Sequence, residues 1–349
     1  MRRAAASRAL ADAPLASEHA EVVQRLLDAG WRITGKANMH ELAFGMTGIN
    51  DFSGTPLNPQ DTARIPGGSS SGSASAVGQK LVDAALGTDT GGSVRGPAAC
   101  CGVIGLKPTF GRVSRHGVAP RVTTLDCVGP FTREMGMLIR VMTAIDPSFR
   151  ADAARRDVSR LRIGVVSVDA DEDIAKAIDN AVGKAGLATL TIELASLKDA
   201  FTAGLAVINA ETSRAFGHLV ASGKLGADIE ARLRAAAATS AADLDAAERV
   251  RRAFTDEVDR ALDRVDVLVL PTMPSLPITL EAARAGTSVI GMSSLIRPFN
   301  LSGHPALSLP VPIEHSTLKA GLQIIGRKHD DEMVCALAAH IEARLAQSA

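Results

Sequence analysis

The 349 residues are 46% hydrophobic, enough for a sizeable core, and the length allows one large domain or two smaller ones. The 38 lysines and arginines balance the 38 aspartates and glutamates, so charge gives no ground for a nucleic acid or an anionic membrane as partner. An aromatic content of 3% leaves little for base stacking, and no apolar run is long enough to span a bilayer.

In chain order, MRRAAASRALADAPLAS lacks a continuous apolar stretch, so it does not read as a secretory signal, and the expected location is cytoplasmic. The first predicted helix covers residues 18–29, with Ser17 as its cap and Gly30 ending it. Further helices are predicted over 171–185 and 331–346, with apolar residues at helical spacing, and over 241–264, which is long and charged. Strands are predicted at 31–34, 161–168, 265–270, 306–311 and 322–325. This alternation predicts a single α/β domain, a mixed sheet wrapped by helices, and residues 146–157 read as a polar surface connection. Four cysteines form no CxxC pair and no Cys/His ligand spacing, so they read as buried thiols, and no metal or cofactor is expected.

Residues 66–112 are dense in glycine and serine. Such a run is usually a flexible linker. Here it is interrupted by an apolar, helix-capable segment at 74–86 and returns as a second glycine turn at 87–92, directly before Ser93. Two decoys sit nearby. Gly30-x4-Gly35-Lys36 resembles a phosphate-binding loop, but Ala37 replaces the magnesium ligand and the loop follows a helix rather than a strand. Gly68 to Gly72 matches GxSxG, with Ser70 as a nucleophile elbow, but polar residues 61–66 precede it where a buried strand is needed. His116, His218, His304, His315, His329 and His340 are available as bases for that reading, none in a telling context.

The turn Thr90-Gly91-Gly92-Ser93 has what acyl transfer needs, a hydroxyl beside glycines whose N–H groups can face an oxyanion. Together, PGGSS at 66–70, GTDTGGS at 87–93 and CGVIGLKPTFGRVS at 101–114 resemble the signature block of the amidase signature family. That family includes fatty acid amide hydrolase, malonamidase and the A subunit of glutamyl-tRNA amidotransferase. GKANMHEL at 35–42 and segments 266–272, 299–310 and 321–326 extend the likeness over nearly the whole chain.

The resemblance implies Ser93 as nucleophile, Ser69 on a cis peptide as the bridge to a lysine base, and backbone N–H groups of Thr90, Gly91, Gly92 and Ser93 as the oxyanion hole. It implies a small-molecule amide substrate, and a homodimer is compatible with it. The runner-up is an amidotransferase A subunit, needing partner subunits and tRNA, although HELAFG at 40–45 looks more like the free-standing amidases. The family's lysine lies in a V-x-x-K-D/E motif upstream of the part matched here, and no such motif occurs in these residues. Lys36 and Lys107 match other family positions. The expectation is therefore a chain lacking the base-carrying segment, with weak or no turnover, and an inactive remnant or non-catalytic binding protein stands as the further alternative.

Overall fold

The computed structural model describes residues 1–347. Its sheet has eight strands, β1 (Ala84–Asp89), β2 (Ile104–Lys107), β3 (Cys127–Thr132), β4 (Arg162–Val166), β5 (Ala188–Ile192), β6 (Val267–Pro271), β7 (Ala306–Pro312) and β8 (Lys319–Ile325). Their order is β1-β3-β2-β7-β8-β6-β4-β5. The half from β1 to β6 pairs antiparallel, whereas β4 runs parallel to both β5 and β6, giving the mixed sheet expected.

The central strands are apolar on both faces because helices cover both. On β6, Val267 and Val269 join one core with α1 (Glu21–Asp28), α4 (Met135–Ile145), α5 (Glu172–Ala185) and α11 (Asp331–Ala346). Leu268 and Leu270 point the other way, into a second core with α6 (Leu197–Phe216) and α8 (Ala241–Arg264). Helices α5, α8 and α11 lie where predicted. Gly186, in the left-handed region at φ +69°, ends α5, and Ser240 and Asp243 form a reciprocal capping box on α8.

Three expectations are corrected. Helix α1 begins at Glu21 rather than 18, with Ala20 as its uncapped boundary, because Glu21 N–H is taken by His116 O at 3.1 Å. Residues 31–34 form no strand; they are largely exposed, and Trp31 packs beneath Arg140 instead. The segment 74–86 is not one helix. It divides between α2 (Ser71–Gly78) and the edge strand β1, so the glycine-serine region is ordered structure and not a linker. All four cysteines are free and buried, as expected.

His304 lies fully buried, with Nδ1 3.0 Å from Ser302 Oγ and Nε2 2.9 Å from Asp259 Oδ1. Burial pushes its pKa down to about 4, against the opposing pull of Asp259. The unfolded chain therefore binds this proton first as pH falls, and stability is lost between about 6.5 and about 4. His304 accounts for at most about 3 kcal/mol of that loss. His304→Gln should flatten the slope of urea-unfolding free energy across this window; an unchanged slope would refute the assignment.

Candidate active site

Strand β1 delivers the chain into the turn Thr90–Ser93, which leads to α3 (Arg95–Cys101). Gly92 adopts φ +114°, and a Cβ there would lie 2.1 Å from Ile296 Cδ1, so only glycine fits this position. Asp89, fully buried at the end of β1, shapes the turn. Its carboxylate accepts from Gly92 N–H at 2.8 Å, Val94 N–H at 3.1 Å and Arg95 N–H at 3.2 Å. Burial alone would raise the Asp89 pKa, but the Arg95 guanidinium, paired at 2.9 Å, holds it well below the usual carboxylate range.

Arg95 is also fully buried and ties the turn to distant elements. It donates to Ile296 O at 2.8 Å, Gln323 Oε1 at 2.7 Å and Asn300 Oδ1 at 2.6 Å. Asn300 lies on α10 (Pro298–Leu301), and its Nδ2 donates to Asp89 O and Oδ1, both at 2.8 Å. These residues were not singled out from sequence. A usable signal existed: an arginine among the small residues RGPAACC needs a buried carboxylate, and Asp89 is the nearest acid.

The second loop, residues 66–71, lies against the first. The Gly68–Ser69 peptide is cis, matching the family resemblance at Ser69. Ser70 N–H donates to Ser93 O at 3.3 Å, and Ser69 O accepts from His40 N–H at 2.9 Å. Ser69 and Ser93 are thus brought together through backbone. Their hydroxyls are not joined: among the described residues Ser69 Oγ is buried without a hydrogen-bond partner, and Ser93, 7% exposed, makes no side-chain hydrogen bond.

Thr90 Oγ1 donates to Asp126 Oδ1 at 2.8 Å, and Arg115 pairs with the same carboxylate at 2.7 Å. Burial raises the Asp126 pKa to about 6, more than Arg115 and Thr90 lower it. Of the four sequence-derived oxyanion donors, Gly92 is already engaged by Asp89. The N–H groups of Gly91 and Ser93 meet no protein acceptor among the described residues.

Ser70 does not behave as an elbow nucleophile. Its Oγ lies 3.3 Å from both Thr88 O and Thr88 N, pinning α2 to β1, and no histidine hydrogen bond reaches it among the described residues. Lys36 Nζ donates to Arg2 O at 2.8 Å, so the phosphate-loop reading also has no support. Lys107 is fully buried, its pKa lowered by that burial, and its Nζ donates to Pro108 O at 3.0 Å.

A family model described as Amidase matches residues 1–335. The chain is similar to the A subunit of glutamyl-tRNA(Gln) amidotransferase from Methanospirillum hungatei, 33% identical over 360 residues, covering 90% of this chain and 83% of that one. It superposes on the crystal structure of the corresponding Thermotoga maritima protein with a TM-score of 0.84 and 30% identity, covering 98% of this chain and 80% of that one. A crystal structure described as an amidase matches with a TM-score of 0.87 and 31% identity, over 99% of this chain and 81% of that one. Fold, signature segments and relatives agree: the chain belongs to the amidase family.

Proposed function

We propose that this chain cleaves amide C–N bonds through an acyl-enzyme on Ser93. The observation that carries the reading is the Thr90–Ser93 turn. Asp89 takes the N–H of Gly92, Val94 and Arg95, and among the described residues those of Gly91 and Ser93 have no acceptor, beside a serine hydroxyl that makes no hydrogen bond. In the proposed reaction Ser93 Oγ attacks the amide carbonyl, and its proton passes to Ser69 Oγ. Ser69 gives its own proton to an amine base. The carbonyl oxygen gains charge against the free N–H groups, helped by Thr90. The leaving nitrogen departs protonated, and water then cleaves the Ser93 ester.

The base is neither Lys36 nor Lys107, whose ammonium groups are bonded to Arg2 O and Pro108 O. A small primary amine added to the 349-residue chain should therefore raise ammonia release, by up to the roughly 10²–10⁴-fold that general base assistance supplies. Ordinary turnover without added amine, lost in Lys36→Ala, would overturn this and make Lys36 the base.

The relatives favour a narrower version. Those at 33% and 35% identity are A subunits of glutamyl-tRNA(Gln) amidotransferases, which supports the amidotransferase reading over the free-standing amidase suggested by residues 40–45. Ammonia release from simple amides by the chain alone would support the free-standing enzyme. Amide transfer seen only with partner subunits and glutamyl-tRNA would support the amidotransferase.

A further inference from the structure

We infer that Asp126 is a positioning residue for amide cleavage, holding Thr90 so that the next N–H, that of Gly91, stays aimed at the reacting carbonyl; this rests on the amide-cleaving reading above. The turn is gripped from two sides. Asp89 fixes its far half, through the N–H groups of Gly92, Val94 and Arg95. Among the described residues its carboxylate takes nothing from Thr90 or Gly91. Thr90 is held by its own hydroxyl, which donates to Asp126 Oδ1 at 2.8 Å. A β-branched side chain has little freedom about χ1, so fixing Thr90 Oγ1 fixes the backbone that carries the Gly91 N–H. Gly91 cannot supply that hold itself. A Cβ there would lie 2.7 Å from Ile208 Cδ1, so the position stays bare and its dihedrals are weakly restrained.

Asp126 is itself held firmly. It is 1% exposed and directly precedes β3, where Cys127 lies opposite Asp89 of β1. Asp126 and Thr90 therefore stand at matching ends of neighbouring strands. The backbone N–H of Asp126 donates to Thr123 Oγ1 at 3.2 Å. Its second oxygen, Oδ2, accepts from Arg115 Nε at 2.9 Å and lies 2.7 Å from Nη2, and Nη2 also donates to Pro120 O at 2.9 Å. A bare carboxylate this close would oppose an oxyanion forming at the turn, and the Arg115 charge offsets it. An acid serving only the loop at 115–125 would need Oδ2 alone. Oδ1 is spent on the turn that carries Ser93.

The test is a double-substitution cycle in the 349-residue chain, read as ammonia release from propionamide with methylamine added. Thr90→Val and Asp126→Ala should each lower kcat by about 10–10²-fold, less than the roughly 10²–10³-fold of deleting an oxyanion donor outright. KM should change little, because the lost hold matters in the transition state. The double variant should be no slower than the slower single one, since both changes break one bond. Thr90→Ser, which keeps the hydroxyl, should recover most of the rate. Thr90→Val should melt close to the parent, because Asp126 keeps Arg115. A kcat loss in Thr90→Val matched by a clear drop in melting temperature would make the contact structural and overturn the inference. If Asp126→Ala misfolds, Thr90→Val against Thr90→Ser decides, and equal rates in those two overturn it. Losses that multiply in the double variant would overturn it too, while leaving amide cleavage standing. Should the parent release no ammonia, the cycle is read as the rate of Ser93 labelling by a fluorophosphonate. The same pattern there would keep the role of Asp126 and remove amide cleavage, and no labelling would overturn both.

Discussion

Any ammonia release this chain supports, with or without added amine, is expected to fall to the background of spontaneous hydrolysis in Ser93→Ala. Removing a covalent nucleophile costs up to about 10⁶-fold in kcat, leaving only what the oxyanion donors and substrate binding supply. Ser69→Ala is expected to cost about 10²–10⁴-fold, the usual worth of a proton-transfer group. Both changes should leave the urea-unfolding midpoint nearly unmoved, since neither hydroxyl makes a hydrogen bond among the described residues. A Ser69→Ala variant that loses stability in step with activity would assign Ser69 to the scaffold.

The second large effect is on stability. Asp89→Asn is expected to lower the unfolding free energy by about 3–5 kcal/mol, the usual result of breaking one side of a buried ion pair. The pair is completely enclosed, and Asp89 also accepts from three N–H groups of the turn and α3. The variant leaves the Arg95 charge unpaired and puts amide hydrogens where the turn needs acceptors. Urea unfolding measures the loss, and ammonia release should fall with it as the Gly91 and Ser93 N–H groups lose their fixed direction. A variant as stable as the parent would mean that Asn300 and Gln323 suffice to hold Arg95.

How much of this is readable in the residue string depends on whether the signal is local. Helices α5, α8 and α11 are legible because their pattern lies within one segment, apolar spacing on α5 and α11 and a run of charges on α8. Strand β2 has only four residues, with Gly105 inside it and Pro108 directly after it, too few to show any periodicity. Strand β1 hides within an alanine-rich stretch that suits a helix equally well, and its identity comes from pairing with β3. Residues 31–34 carry a strand-like pattern but find no neighbouring strand.

The same division holds in the site. Ser93, Ser69 and the turn glycines stand in contiguous motifs. The network that fixes the turn joins Arg95 to residues 201, 205 and 228 positions away, so only the fold brings it together. Gly92 could be read as an oxyanion donor, but not that Asp89 claims its proton.

The central claim is that Ser93 is the acylated residue, and one measurement addresses it directly. The chain is treated with a fluorophosphonate probe, with a primary amine present, then digested and mapped by mass spectrometry. The account predicts the probe's mass on the peptide carrying Ser93, at that serine, and no labelling of Ser93→Ala. Labelling that persists in Ser93→Ala and disappears in Ser70→Ala would contradict it and place the nucleophile in the loop at residues 68–72.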